Sequence, residues 1–218
     1  MTGPAIILLN GSSSAGKSAL ARSLQKRLAP QPVIMSLDAF VFGQMPPTWH
    51  NTPHGTFFTH EPDGTTPLHL GPGAQAMVRA FHRSVAAMAD CGLSVIVDDV
   101  LFEPWLLPDW LEATRDREVF FVGVRCDLAE AERREIARGD RQAGQVRSQF
   151  GLVHRHGDYD FSVDTTNTIP GACADQVVAA LAARRRPSAF ERLASKSSPA
   201  GGGGSSPLRD ETEGVEAP

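Results

Sequence analysis

The eight residues from position 11, GSSSAGKS, place two glycines, a lysine and four serines directly behind the apolar run AIILL. Gly11, Gly16, Lys17 and Ser18 complete the spacing G-x-x-x-x-G-K-[ST] of a phosphate-binding loop. The glycines let the backbone wrap closely around phosphates, so that the amides of Ser12, Ser13, Ser14 and Ala15 can point inward. A helix starting near Lys17 adds the positive end of its dipole. Lys17 supplies a mobile cation for the β- and γ-phosphates of ATP, and the Ser18 hydroxyl is placed to ligate Mg²⁺. The bland alternative is an exposed turn; an apolar strand before the loop and an amphipathic helix after it argue for the phosphate reading.

Asp98 and Asp99 close the apolar run SVIV, the strand-then-acid pattern that helps to hold magnesium in such sites. Adjacent strand residues face opposite ways, so one of the two reaches the metal and the other does not. The alternative is a solvated strand end. Asp38 ends a second apolar run, VIMSLD. A carboxylate there can take the proton of an acceptor hydroxyl, or it can cap the helix that follows, and spacing alone leaves both open. Arg134, Arg138 and Arg141 stand at i, i+4, i+7 and can share one helix face that closes over a triphosphate as a lid. The competing reading is a solvated helix laced with Glu130, Glu132 and Glu135. Four of the seven histidines fall between positions 50 and 69, but Pro53 forbids a helical His50/His54 pair and no cysteine assists, so a zinc site is not expected there.

These residues need a scaffold. Apolar runs at 5–10, 33–38, 93–100, 118–126 and 160–165 read as strands. Between them, Leu20, Leu24 and Leu28, then Ala74, Met77, Val78, Phe81, Val85 and Met88, recur at helical spacing. Residues 104–114 read as a short helix broken near Pro108, 128–150 as a helical lid interrupted at Gly139 and Gly144, and 170–186 as a final helix. From 43 to 73 no period survives among six prolines, and this segment is expected to be structureless. With Trp49, Phe57 and Phe58 it suits either the lining of a pocket for a partly aromatic ligand or a cover over the core. From 187 to 218 the composition turns to Ser, Pro and Gly with an acidic end, which reads as a flexible tail whose removal costs little. Strands alternating with helices imply an α/β fold, a central five-stranded parallel sheet flanked by helices in three layers. In such sheets ligands bind at the carboxyl ends of the strands, where the glycine loop, Asp38 and Asp98–Asp99 all fall.

With 218 residues, one domain of residues 1–186 plus the tail is expected. Of the net charge of −4, −3 sits from Ser197 onward, where Arg209 is outnumbered by Asp210, Glu211, Glu213 and Glu216. The near-neutral remainder argues against nucleic acid as a partner. The three cysteines are scattered, which fits a reducing compartment. The apolar runs are too short for a membrane span or a signal peptide, so a cytoplasmic location is expected.

Taken in order, IILLNGSSSAGKS, LDAF, VIVDDV, FFVGVRCD, REIARGDRQAG and YDFSVDTT resemble the chloramphenicol phosphotransferase-like family of P-loop kinases, over roughly residues 5–184. The resemblance implies a kinase fold related to those of shikimate and adenylate kinases, and transfer of the γ-phosphate of ATP to a hydroxyl of a small molecule, in that family an antibiotic. It also implies a catalytic base at Asp38 and lid arginines at Arg134, Arg138 and Arg141. The resemblance implies that residues 43–73 belong to the acceptor site, but 43–72 do not follow the family pattern, which leaves the acceptor open. A kinase of metabolites or of nucleic-acid ends, and a regulatory P-loop NTPase, are the alternatives.

Overall fold

A strand that reads as one unbroken apolar run has to be covered on both faces, and β1 (Ile6–Asn10) is buried along its whole length. It lies at the centre of a five-stranded parallel sheet of order β2-β5-β1-β6-β7, with β2 at Val33–Ser36, β5 at Val95–Asp99, β6 at Val119–Arg125 and β7 at Phe161–Asp164. The inner strands β1, β5 and β6 are buried, while the edge strands β2 and β7 are only partly so. The computed structural model describes residues 5–139 and 142–197.

Side chains alternate between the two faces. Ile7, Leu9, Ile96 and Val122 pack beneath α1 (Lys17–Gln25) and α7 (Pro170–Ala182), against Leu20, Leu24 and Val177. Ile6, Leu8, Val95, Val97 and Phe121 pack against the second helical layer, α2 (Leu37–Gln44), α3 (Pro72–Asp90) and α4 (Leu106–Ala113). The helical spacing of Ala74, Val78, Phe81 and Val85 corresponds to the buried face of α3. From β1 the chain runs out to β2 and later returns to β6 on the other side, so the strand order reverses at β1 and opens a crevice at its carboxyl end.

Four expectations differ from the structure. The strand expected at 33–38 stops at Ser36, which caps α2 by accepting from the Ala39 amide at 3.5 Å; Asp38 therefore sits in the first turn of α2 and is not its cap. Pro108 does not break α4, because it falls in the first turn, where its missing N–H is not needed. The segment 43–73 is not structureless. It forms a 3-10 turn at Pro47–Trp49 and an antiparallel pair, β3 (Thr56–Phe58) with β4 (Leu68–Leu70). Its histidines serve this packing: His54 meets Trp49 edge-on at 4.5 Å and His69 bonds Thr59 at 3.0 Å.

The fourth difference is at the C-terminus. Residues 189–197, expected to begin a flexible tail, form α8 (Ala189–Ser197). Ala189, Phe190 and Leu193 are buried in the same cluster as Phe121 and Trp110. Asp160 bonds both the Ala189 amide at 2.7 Å and the Phe121 amide at 2.8 Å, so one carboxylate ties the start of α8 to β6. The rest of the expected tail, 198–218, lies outside the described residues.

Candidate active site

The glycine loop leaves β1 at Asn10 and turns into α1 through Gly16, which adopts a left-handed conformation (φ 86°) that disfavours a side chain. At the other end a Cβ on Gly11 would run into the Val124 carbonyl of the adjacent strand. Both glycines are thus required by backbone geometry. Two contacts from distant elements and one within the loop itself hold it. The Gln149 carboxamide oxygen accepts from the Ser13 amide at 2.8 Å, Thr165 Oγ1 donates to the Ala15 carbonyl at 2.8 Å, and Lys17 Nζ donates to the Ser12 carbonyl at 2.8 Å. The Ser13 and Ser14 hydroxyl oxygens are buried without a hydrogen-bond partner. Leaving each unmade costs about 1–3 kcal/mol, a cost that oxygens of a bound phosphate would offset.

Lys17 is not the exposed cation expected of such a loop: it is 6% exposed, with Nζ 3.7 Å from Asp98 Oδ1. The Ser18 hydroxyl donates to Asp98 Oδ2 at 2.5 Å. Asp98 shares the α1 face of the sheet with Ile96, so lysine, serine and carboxylate converge at one corner of the loop.

Asp99 does not join them. It faces the other helical layer, fully buried, where Oδ2 accepts from Trp110 Nε1 at 2.6 Å and Oδ1 accepts from the Val100 amide at 2.6 Å. His82, stacked on Trp110 at 4.1 Å and bonded to Asp109 at 2.5 Å, closes that pocket. The alternation of a strand thus divides the pair, and the metal expectation for Asp99 is corrected: its oxygens are turned away from Ser18 and committed to the fold.

The lid region splits into α5 (Leu128–Arg138) and α6 (Gln145–Phe150). Gly139, left-handed at φ 66°, ends α5, so a continuous helical face from 134 to 141 does not form. Arg134 on α5 lies against the glycine loop, its guanidinium beside Gly16. It donates to the Thr165 and Thr166 carbonyls at 2.7 and 3.1 Å and to Glu130 at 2.7 Å. Arg133, then Arg134, hold the Glu130 carboxyl well below its ordinary range, at about 2. Arg138 is exposed on the last residue of α5; Arg141 lies outside the described residues. Glu135, buried, accepts from the Gly144 and Val146 amides and thereby sets where α6 begins.

Asp38 is half-buried on α2 and lines two adjoining hollows. One is a narrow apolar pit with Ser13, Phe42, Phe102 and Gln149 on its walls. The other is an open cavity of about 880 Å³ bounded by Phe42, Phe58, Gln142 and Gln145. Asp38 and Ser13 of the glycine loop thus face the same pit. The cavity is bounded on one side by Phe58 of β3 and on the other by Gly139, Gln142 and Gln145. These two walls are joined, since Thr66 donates its hydroxyl to the Ala143 carbonyl at 2.7 Å and its amide to the Gly144 carbonyl at 3.1 Å. Asn10, Gln145, Gln149 and Thr165 were not singled out from the sequence; each acts across more than a hundred residues of chain or from within a helix, where no local spacing marks it.

A profile described as chloramphenicol phosphotransferase-like protein matches residues 4–182. The chain belongs to that family. A Mycobacterium tuberculosis protein whose name proposes an O-phosphotransferase is 34% identical over 203 residues, covering 86% of this chain and 87% of its own. Among solved structures, the M. tuberculosis APS kinase with AMPPNP and APS superposes with a TM-score of 0.60 at 17% identity, over 84% of this chain and 99% of that one. A Sinorhizobium meliloti gluconokinase superposes at 0.59 and 16%, over 91% and 100%. The fold is that of a P-loop kinase, and the family is one of phosphotransferases. No helix among the described residues is long and apolar enough to cross a membrane.

Proposed function

We propose that this chain is an ATP- and Mg²⁺-dependent O-phosphotransferase that moves the γ-phosphate of ATP to a hydroxyl of a small molecule. The observation that supports the reading is that Asp38 on α2 and Ser13 of the glycine loop line one pit. The amides of the loop, Lys17 and Arg134 would hold phosphoryl oxygens and stabilise the charge on the group in transfer. Ser18 and Asp98 would hold magnesium, which neutralises phosphate charge when bound. Asp38 would accept the proton of the attacking hydroxyl. Arg138 and Arg141 would contribute from the lid as it closes. The free thiols Cys91, Cys126 and Cys173 favour a reducing, cytoplasmic setting. Family membership makes a hydroxylated antibiotic a reasonable acceptor to test first, with metabolites beside it.

The test is an ATP-consumption screen over hydroxylated antibiotics and metabolites, followed by Asp38→Asn with whichever acceptor stimulates turnover. Because Ser36 is the helix cap, this substitution removes the basicity without uncapping α2. Loss of a general base lowers kcat by about 10²–10⁴-fold, while nucleotide Kd should change little. A kcat within a few-fold of the parent would sink the base assignment.

A further inference from the structure

Helix α6 carries two glutamines on its buried side, Gln145 and Gln149, which are 4% and 3% exposed. Residues four apart on a helix share a face, and both glutamines line the pit that holds Asp38 and Ser13. Their commitments differ. Gln149 is spent on the fold, since its Oε1 accepts from the Ser13 amide at 2.8 Å. The Gln145 carboxamide has no hydrogen-bond partner among the described residues. Buried amides are nearly always paired, because the water they give up has to be replaced. Gln145 also lines the open cavity beside Asp38, so it stands where the two hollows adjoin.

The backbone on either side of Gln145 is fixed. The Glu135 carboxylate accepts from the amides of Gly144 and Val146, at 3.0 and 2.9 Å. Thr66 donates its amide to the Gly144 carbonyl at 3.1 Å. Gly144 is left-handed at φ 87°, and a Cβ there would meet the Gly64 carbonyl, so α6 starts at one place only. An unpaired carboxamide on so fixed a support is suited to a ligand.

The walls around it are apolar. Phe42, Phe102, Leu37 and Val41 line the pit, and Phe42 and Phe58 line the cavity. Among the described residues lining either hollow, Asp38 is the one charged side chain. A carboxamide offers a donor and an acceptor without charge. Its match is a neutral group that also donates and accepts. A carboxylate seated there would share apolar walls with Asp38, which disfavours it twice over, by desolvation and by like charge.

We propose that Gln145 is a specificity-determining residue of the acceptor site. The acceptor is an uncharged molecule that carries, beside the hydroxyl to be phosphorylated, a second neutral hydrogen-bonding group held by the Gln145 carboxamide. Its apolar body packs against Phe42 and Phe58. The inference rests on the phosphotransferase reading of the site.

The test uses two probe acceptors that differ by one hydroxyl, 3-phenylpropane-1,2-diol and 3-phenylpropan-1-ol, with shikimate as an acid. It reads kcat/KM for acceptor-stimulated ATP consumption by the full chain. The parent should favour the diol over the mono-alcohol by about tenfold or more and leave shikimate unused. Gln145→Met keeps the length of the side chain but not its hydrogen-bonding groups. It should bring the two alcohols within about twofold of each other, with the mono-alcohol used about as well as by the parent. A merely structural role would lower both alcohols alike. If that variant does not fold, Gln145→Asn, which draws the carboxamide back by one carbon, should erase the same preference. Equal use of the two alcohols by the parent, a preference that survives substitution, or refusal of the diol while another acceptor is turned over would overturn the assignment. Absence of stimulated turnover with every acceptor in the wider screen would instead overturn the phosphotransferase reading beneath it.

Discussion

Phe190 offers a direct measure of whether the C-terminal helix belongs to the fold. Its ring is 6% exposed and meets Phe121 of β6 edge-on, with centroids 5.1 Å apart. Replacing a buried phenylalanine by alanine costs about 3–5 kcal/mol, and the edge-to-face contact is included in that loss. Phe190 lies at the rim of its cluster, where solvent and neighbouring side chains can relax into the gap, so the lower end, about 3 kcal/mol, is expected. For a chain of this size each kcal/mol moves Tm by about 2–4 °C, which gives a fall of about 6–12 °C for Phe190→Ala. The assay is thermal unfolding followed by circular dichroism, beside a chain shortened to end at Ser197. That shortened chain keeps every contact described for α8 and should melt within about 2 °C of the parent. If Phe190→Ala also melts within about 2 °C, the helix does not dock as described and the original expectation of a dispensable tail from residue 187 stands.

Lys17→Ala should lower phosphoryl transfer by on the order of 10²-fold or more, measured as acceptor-stimulated ATP turnover; because Nζ is buried between the Ser12 carbonyl and Asp98, a small loss of stability should accompany it. Trp110→Phe strips the indole donor from fully buried Asp99 and should cost about 1–3 kcal/mol in urea unfolding, with nucleotide Kd nearly unchanged because Asp98 faces the other way. His154 is held near 4, below the roughly 6.5 of an unfolded chain. The unfolded state alone binds that proton between these values, so the contribution to stability is complete above pH 6.5 and is lost as pH falls towards 4; His154→Gln should flatten this part of the urea-unfolding profile.

The strand, glycine turn and helix at residues 6–25 were legible because all of their parts are neighbours in sequence. Strand, glycines, lysine and helix follow one another within about twenty residues, and each is demanded by a local backbone requirement such as the left-handed turn at Gly16. The sheet was legible for a related reason: buried parallel strands cannot alternate, so they stand out as apolar runs. Division of labour between Asp98 and Asp99 was half legible. A period of two says that one must turn away, but which one depends on where α1 and α4 pack, and that is a tertiary fact.

Where local signals were weak, the reading went wrong in a consistent direction, taking order for disorder. Strands β3 and β4 are three residues long, too short to show alternation, and they persist because they pair with each other and β4 packs on α3. Helix α8 has only Ala189, Phe190 and Leu193 to mark it, beside Pro187 and ahead of a glycine-rich stretch. What holds it is contributed from elsewhere: Asp160 at its first turn, the Asp158–Arg192 pair at 2.5 Å, and the Phe121 ring. Asp158 and Asp160 flank Tyr159, whose hydroxyl accepts from Asn10, the residue before Gly11. The helix that looked dispensable thus braces the loop that carries His154. The docking of α8 and the hydrogen bond from Asn10 into the loop between α6 and β7 depend on one short stretch of chain, residues 158–160.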